Sequence, residues 1–253
     1  NAISSGENVS CALMSICLNN QKIKAKSLLS WQIPIITSSE HMKSRILSIN
    51  KKFLYDELEN FEVLLIPGFQ GINNKGELTT LGRGGSDTSA VAVAAAMETE
   101  CIIYTDVEGV FTTDPNIVPK AKKINKISYE EMLELASQGA KVLQTRSVEL
   151  AMRKNTKLSV RSSFKPKKIG TMITDEKSVL ENNTVSGITY SKDEAKITLS
   201  RVQDKPGVSS KIFGPLAKGN INVDMILQNI SQDGKFANLS FTCLLYTSDA
   251  ADE

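Results

Sequence analysis

The chain has 253 residues, of which 41% are hydrophobic and 23% are charged, as in ordinary globular proteins. Its 30 basic and 28 acidic side chains nearly cancel, so charge gives no reason to expect a nucleic acid or a membrane surface as a partner. The longest apolar run, residues 91–97, is far too short to cross a membrane, and no basic segment opens the chain as in a secretory signal. The length predicts one large domain and a small one.

The four cysteines are Cys11, Cys17, Cys101 and Cys243. Because they follow neither metal-ligand spacing nor a dense disulfide pattern, we expect buried, reduced thiols and a cytoplasmic location. His41 is the only histidine and is expected to be structural. The sequence therefore predicts no metal site and no Ser–His–Asp or Cys–His catalytic arrangement.

Helical periodicity begins at the first residues, where Val9, Leu13, Ile16 and Cys17 fall on one face. The chain opens without an initiator Met, and we interpret it as a fragment. Its last residues, 244–253, read LLYTSDAADE and form an acidic tail without a turn or cap. One interpretation of this tail is that it is foreign to the protein.

Strands and helices then alternate along the first two thirds of the chain. FEVLLIPGFQG predicts a strand, residues 86–97 a buried helix, CIIYTDV a strand, SYEEMLELASQGA an amphipathic helix and KLSVRSSF a further strand. The second helix opens with a capping box, Ser128 and Glu131, and ends at Gly139. This alternation predicts an α/β fold with a mainly parallel sheet, helices on both faces, and ligands beyond the carboxyl ends of the strands.

A polar stretch from Lys165 to Asn183 marks the predicted domain boundary. We expect a catalytic domain over residues 1–164, a linker over 165–186, a small domain over 187–243 and the tail over 244–253. The small domain reads strand, helix, strand, strand, which predicts an incomplete α+β module of the βαββ kind.

The stretch TTLGRGGSDTSAVAVAAA carries the first candidate site. Gly82, Gly84 and Gly85 let the backbone approach a ligand closely, and the helix that follows offers free N–H groups to an anion. Arg83 adds a planar fork suited to a carboxylate or phosphate. In the alternative interpretation the glycines only turn the chain and Asp87 is an N-cap.

The stretch YTDVEGVFTTDP carries the second candidate site. Thr105 and Asp106 end a strand, and Gly109 with Asp114-Pro115 turns the chain back, which indicates either a nucleotide pocket or a surface turn. Lys141 could reach phosphates or lie in solvent.

Two further features are open in the same way. Glu7 precedes the first predicted helix, where it could interact with the helix dipole or bind a substrate ammonium. In the small domain, the turn QDKPG leads into a helix near Val208, whose N–H groups could receive an effector carboxylate. Asp204 and Asp224 could bind an ammonium, while Asn222 and Gln228 offer amides; the alternative is an ordinary turn and strand end.

These segments resemble the aspartate kinases of the amino acid kinase family. The resemblance rests on PGFQG, the glycine stretch, YTDVEGVFTTDPNIVPKA, ISYEEMLELASQGAKVLQTRSVELA and VRSSF, and on QDKPGVSSKIFGPLAKGNINVDMILQNIS, which is similar to an ACT domain. It implies a three-layer α/β/α sandwich followed by a ferredoxin-like ACT domain. It also implies ATP-dependent phosphorylation of the β-carboxylate of L-aspartate to 4-phospho-L-aspartate, the committed step toward lysine, threonine and methionine.

The resemblance implies roles for individual residues. Arg83, Gly84, Gly85 and Ser86 would hold aspartate, Glu7 would take its amino group, and Asp87 with Arg83 would organise the reacting centre. The residues that would line the ATP site are Thr105, Asp106, Phe111, Thr112, Thr113, Asp114, Pro115, Asn116 and Lys141. Mg²⁺ would be held by the ATP phosphates. The effector residues would be Asp204, Ser209, Asn222, Val223, Asp224 and Gln228.

The resemblance has two gaps. The family's N-terminal K-[FY]-G-G loop and a second ACT repeat are absent, so we expect this chain alone to be inactive. Lysine, threonine or both would bind where ACT domains pair, in a homo-oligomer or an α₂β₂ assembly. Two rival hypotheses are another amino acid kinase, acting on glutamate or UMP, and a non-catalytic amino-acid sensor that needs only the ACT segment.

Overall fold

The computed structural model of the chain describes residues 2–140, 142–175, 185–190, 194–203, 205–219, 221, 223–230 and 236–244. These residues divide into two units, residues 1–190 and residues 191–253. Among the described residues, no helix is both long enough and apolar enough to cross a membrane.

The first unit alternates strands and helices. Its helices and strands are α1 (Ala2–Asn20), β1 (Ala25–Ser27), β2 (Ile35–Thr37), β3 (Ile46–Ile49), α2 (Lys51–Leu58), β4 (Val63–Leu65), β5 (Gln70–Ile72), β6 (Leu78–Thr80), α3 (Gly85–Ala96), β7 (Cys101–Thr105), β8 (Lys126–Ser128), α4 (Tyr129–Ser137), α5 (Thr145–Lys154), β9 (Leu158–Ser162) and β10 (Thr171–Thr174). The predicted α/β class is confirmed by this order.

Three sheets form within the described part of the first unit. Their strand orders are β3-β2-β5-β6, β7-β9-β10-β8 and β1-β4. Parallel pairs are β1 with β4, β2 with β5, β7 with β9 and β8 with β10, whereas β2 with β3, β5 with β6 and β9 with β10 are antiparallel. Parallel pairs join strands separated by helices, and antiparallel pairs join strands separated by short loops.

Two predicted boundaries differ from the structure. The stretch 61–71, predicted as one strand, contains β4 and the start of β5. The strand is interrupted at Pro67, which has no N–H to donate, and at Gly68, which packs so closely on α3 that an added Cβ would lie 3.0 Å from the Cα of Ser86. β10 lies inside the predicted linker, 165–186, and pairs with β8 and β9 in the first unit.

α3 is largely buried, as its alanine-rich sequence predicts. Val91, Ala92 and Ala94 are buried, and Val91 and Ala94 belong to the same core cluster as Val148 of α5 and Leu158 of β9. Small side chains allow α3 to approach its neighbours closely, so the residues at its N-terminus are fixed by a packed core.

α1 presents its apolar face to solvent. Val9, Leu13 and Ile16 share a face, as predicted, but they are 56%, 61% and 59% exposed, while Ser4 and Ser15 face the protein. The Ser15 hydroxyl donates to the carbonyl oxygen of Ala25 at 3.2 Å. Periodicity predicts which residues share a helix face but not which face is buried.

The predicted capping box of α4 is present. The Ser128 hydroxyl accepts from the Glu131 N–H at 3.2 Å, and the Glu131 carboxylate accepts from the Ser128 N–H at 3.0 Å. Gly139 follows the helix with a φ of 111°. The N-terminus of α4 is therefore fixed by side-chain hydrogen bonds.

We expect Ser128→Ala to lower the free energy of unfolding by about 1 kcal/mol, because the Glu131 N–H loses its acceptor. Ser137→Ala is the matched control, since Ser137 is an exposed serine at the other end of the same helix. Urea unfolding followed by circular dichroism measures both variants. Equal stabilities for the two variants would contradict the capping role.

The cysteines do not share one environment. Cys101 and Cys243 are buried as predicted, but Cys17 is exposed and Cys11 is half-buried, because both lie on α1. All four are free thiols. Burial, with a smaller contribution from Asp87, raises the pKa of Cys101 to about 11. At pH 8 the thiolate of Cys101 is therefore a minor species.

We expect Cys17 to react first with a thiol reagent such as DTNB, because its sulfur is exposed. Cys101 and Cys243 should react only after unfolding in guanidinium. The measurement is mass-spectrometric mapping of labelled peptides against time, with Cys17→Ser as the control. Rapid labelling of Cys101 in the native protein would contradict the burial of its side chain.

The second unit has the predicted strand, helix, strand, strand order. Its elements are β11 (Glu194–Gln203), α6 (Val208–Lys218), β12 (Val223–Ile230) and β13 (Phe236–Leu244). The sheet order is β11-β13-β12, with both pairs antiparallel. Phe213 of α6 packs edge-on against Phe241 of β13, with ring centroids 5.4 Å apart. One aromatic contact thus joins the helix to the central strand.

Candidate active site

The glycine loop, residues 81–86, joins β6 to α3. Gly82 has a φ of 80° and Gly84 a φ of 67°, which residues with side chains rarely adopt. Gly84 is the N-cap of α3, and no side chain caps the helix. The Gly85 N–H donates to the Gly82 carbonyl oxygen at 3.0 Å, so the N–H groups of Ser86 and Asp87, together with the helix dipole, are the ones available to the predicted anion. Asp87 is the third residue of α3, so its interpretation as an N-cap is wrong.

Neighbouring groups leave no room for a side chain at any of the three glycines of the loop. A Cβ would lie 2.3 Å from the Met42 carbonyl oxygen if it were added to Gly82, and 2.0 Å from Cγ of Gln144 if it were added to Gly84. A Cβ on Gly85 would lie 2.8 Å from the Phe69 ring. The glycines are needed for space as well as for backbone conformation.

Glu7 lies beside the glycine loop. The Ser86 hydroxyl donates to the Glu7 carboxylate at 3.5 Å, although the two residues are 79 positions apart. The sequence predicts that Glu7 precedes the first helix. The structure instead places it in the second turn of α1, because the helix already begins at Ala2. The structure therefore brings an acidic group and the anion site together at one end of α3.

Arg83 is exposed at the tip of the loop. Within the described residues it has no hydrogen-bond or ion-pair partner. A guanidinium without a structural partner is available to a carboxylate or phosphate from solution.

Asp87 is half-buried in the first turn of α3. Burial raises the pKa of its carboxyl group, and a hydrogen bond from the Gln144 backbone N–H partly opposes this shift. Burial therefore makes the charged form of Asp87 less favourable here than in water.

The strand-end site lies where β7 ends. The Thr105 hydroxyl donates to the Asp106 carboxylate at 3.1 Å, and the Thr105 carbonyl oxygen accepts from both the N–H and the hydroxyl of Ser163, at 2.8 and 2.9 Å. Asp106 is exposed. The parallel neighbours β7 and β9 thus end together, with polar groups at their carboxyl ends.

The residues after this strand end form an ordered loop. Phe111 and Lys123 form an isolated antiparallel β-bridge, and the Thr112 carbonyl oxygen accepts from the Ile188 N–H at 2.8 Å. The Asp114 carboxylate accepts from the Asn116 N–H at 2.8 Å, while Thr113 is half-buried and Pro115 exposed. Lys141 lies outside the described residues.

The predicted effector residues are only partly described. Ser209 is exposed in the first turn of α6, whose N-cap is Gly207 with no capping side chain. Val223 begins β12 and Gln228 is exposed on it. Asp204, Asn222 and the side chain of Asp224 lie outside the described residues.

Sequence reasoning missed two residues that contact the glycine loop, Gln144 and Arg146. Arg146 donates to the carbonyl oxygens of Leu81 at 2.8 Å and Ser44 at 2.6 Å. Arg146 is the second residue of α5, where a cation is unfavourable because of the helix dipole. An arginine at this unfavourable helix position indicates a tertiary contact that offsets the cost.

No group of three or more His, Cys, Asp or Glu in the described part of the chain could hold a metal ion. The candidate site therefore consists of backbone N–H groups, Arg83, Glu7 and Asp87, with the strand-end residues as a second group.

The comparison with protein families agrees with this geometry. Residues 1–162, more than half of the chain, match the model of the amino acid kinase family. The chain belongs to the amino acid kinase family. Residues 197–246 of this amino acid kinase match the ACT domain.

The similar curated proteins are aspartate kinases. This amino acid kinase is 48% identical to the aspartate kinase of Pseudomonas fluorescens over 252 residues, which are 99% of this chain and 60% of that protein. It is 49% identical to an aspartokinase of Helicobacter pylori over 245 residues, 95% of this chain and 60% of that protein. The chain thus spans about 60% of the length of the curated relatives it matches.

Solved structures support the same fold. Aspartokinase III of Escherichia coli in complex with lysine and aspartate, in the T-state, matches with a TM-score of 0.79 at 28% identity, over 98% of this chain and 55% of that one. The R-state complex with aspartate and ADP matches with a TM-score of 0.73 at 26% identity, over 99% and 56%. The predicted fold of an amino acid kinase with an ACT domain is confirmed.

Proposed function

We propose that this amino acid kinase is an aspartate kinase, which transfers a phosphoryl group from ATP to the β-carboxylate of L-aspartate. The observation that carries the proposal is the pairing of the glycine loop with Glu7. An amino acid with two carboxylates and one ammonium needs both an anion site and an acid, and the two meet at Ser86. Relatives with this name at 48–49% identity support the choice of substrate.

The proposed substrate contacts follow from the chemistry of each group. The N–H groups of Ser86 and Asp87 and the Arg83 guanidinium bind the aspartate carboxylates. Gly84 and Gly85 allow the backbone conformation that brings these groups to the substrate, and Ser86 adds a hydroxyl. Glu7 binds the ammonium. Because phosphoryl transfer depends mostly on positioning and on neutralising charge, a rigid cationic loop suits this reaction.

ATP is proposed to bind at the strand-end site. The Thr105 and Asp106 side chains and the loop over residues 111–116 lie beyond the carboxyl ends of parallel strands, where nucleotides bind in such sheets. Lys141 is proposed to reach the phosphates. Mg²⁺ would accompany ATP on its phosphates and neutralise their charge, since the described residues offer no carboxylate cage.

The ACT unit is proposed to bind lysine, threonine or both as feedback effectors, through Asp204, Ser209, Asn222, Val223, Asp224 and Gln228. The uncapped N-terminus of α6 supports a carboxylate site there. Pairing of ACT units in an oligomer would complete the site, and inhibition would come from different effector affinities in two conformations. A cytoplasmic location fits the free thiols and the use of ATP.

The test uses a hybrid enzyme, in which this chain replaces the matching segment of the Pseudomonas fluorescens aspartate kinase. Hydroxylamine traps the acyl phosphate formed from ATP with aspartate or glutamate as acceptor. Because UMP would give a diphosphate instead of an acyl phosphate, turnover with UMP is measured by the release of ADP. Aspartate-dependent turnover supports the proposal. Turnover with glutamate or UMP would establish the rival kinase, and amino-acid binding without turnover would establish the sensor.

A further inference from the structure

We propose that Arg146 is a positioning residue, which fixes the glycine loop by joining it to the segment over residues 40–45 and to the start of α5. Its two hydrogen bonds end on main-chain carbonyl oxygens, those of Leu81 and Ser44. The Leu81 carbonyl belongs to the peptide bond that leads into Gly82. Arg146 therefore holds the peptide group at the start of the glycine loop.

The segment over residues 40–45 is itself bound to the end of β6, directly before the loop. The Ser44 hydroxyl and N–H both donate to the Thr80 carbonyl oxygen, at 2.7 and 3.1 Å. Met42 places its carbonyl oxygen where a Cβ of Gly82 would lie. Arg146 thus closes a network in which three chain segments meet at the start of the loop, and the fork geometry of a guanidinium suits two acceptors at once.

Gln144 holds the other end of the loop. Its side chain occupies the space beside Gly84, and its backbone N–H donates to the Asp87 carboxylate. Gln144 is the N-cap residue of α5, two positions before Arg146. One turn of chain therefore contacts the loop at Leu81 and Gly84, and also contacts Asp87, the residue that directly follows the loop.

The electrostatics favour positioning over ion pairing. Among the described residues Arg146 has no salt bridge, and its two acceptors are neutral. Burial and the nearby charge of Arg45 lower the pKa of Arg146, and Glu149 partly opposes them. A charge kept in this place contributes positive potential beside the anion site as well as a rigid bridge.

The first test does not depend on the proposed function. In the 253-residue chain, hydrogen–deuterium exchange is measured for Arg146→Met, Arg146→Lys and the control Arg153→Met. Arg153 is an exposed arginine on the same helix, 3.8 Å from Glu149. The amides that report on the loop are those of Leu81 and Gly85, which donate to the carbonyl oxygens of Phe69 and Gly82 at 2.9 and 3.0 Å. We expect both to exchange about tenfold faster in Arg146→Met, less so in Arg146→Lys, and unchanged in the control, with β7 and β9 unaffected.

Two outcomes of this test would overturn the proposal. Unchanged exchange in the loop would show that Arg146 does not hold it. Uniformly faster exchange across α3, β7 and β9 would show an ordinary contribution to global stability. If Arg146→Met does not fold, Arg146→Lys decides, because it keeps the charge and the apolar stem but loses the fork.

The second test rests on the proposed function and uses the hybrid enzyme. Arg146→Met is expected to raise the KM for aspartate about tenfold and to lower kcat, with the KM for ATP nearly unchanged, because only the glycine loop is misplaced. Arg146→Lys should recover part of this loss, and Arg153→Met should match the parent. Equal rises in both KM values would contradict a role confined to the loop.

Discussion

Arg83→Ala in the hybrid enzyme is expected to lower kcat/KM for aspartate about 30- to 1,000-fold, equivalent to about 2–4 kcal/mol of transition-state binding. The structure gives the reason. Arg83 is exposed at the N-terminus of α3 and contacts no acid of the described chain, so its charge is available to the substrate. Removing it leaves a substrate carboxylate without its partner.

Arg83→Lys should recover only part of the lost kcat/KM, because an ammonium cannot make two parallel hydrogen bonds. Arg153→Ala, a change of the same kind at an exposed helix position, is the control and should alter kcat/KM by less than about threefold, as a surface substitution usually does. Initial rates of hydroxamate formation over a range of aspartate concentrations measure all three. A normal kcat/KM in Arg83→Ala would remove Arg83 from the substrate site.

The glycine loop could be predicted from sequence because its causes are local. Glycines with positive φ, an arginine and an uncapped helix occupy adjacent positions, so a short stretch contains the whole anion site. The capping box of α4 is predictable for the same reason, since Ser128 and Glu131 are three residues apart.

The partners of the loop could not be predicted in this way. Glu7 is 79 positions from Ser86, and Arg146 is 65 positions from Leu81, so tertiary packing alone brings each pair together. The sequence predicts which residues share a face of α1, but not that this face is exposed, for a related reason. A helix can pack through small polar residues such as Ser4 and Ser15 when these fit the neighbouring strand, whatever its apolar periodicity indicates.

At Asp87 the effect of a substitution on stability and its effect on the proposed reaction are expected to have opposite signs. Its pKa is higher in the folded chain than in the unfolded one, chiefly because the carboxyl group is buried. For such a group the stability of the fold is fully present below the unfolded pKa. It declines as the pH rises through the folded pKa, because the ionised form is disfavoured in the folded state. At a pH above both pKa values, the ionised Asp87 carboxyl group therefore makes the fold less stable than its neutral form would.

We expect Asp87→Asn to raise the Tm at pH 7, since the amide oxygen can still accept from the Gln144 N–H while the buried charge is gone. The gain should shrink as the pH falls below the pKa of Asp87, where the native carboxyl group is itself neutral. In the hybrid enzyme the same change should lower kcat about 100-fold. The reacting centre would lose a fixed charge that orients its cationic groups, and a displacement of about 1 Å there costs that much.

Asp56→Asn is the matched control, because Asp56 is exposed on α2, and it should change neither Tm nor kcat. Differential scanning calorimetry from pH 3 to 8 and hydroxamate formation at pH 7 measure the two effects. A lower Tm in Asp87→Asn would mean that the carboxylate stabilises the fold. A normal kcat would mean that it takes no part in the reaction. Only higher stability together with lost turnover fits a carboxylate that is kept at the site for its chemistry.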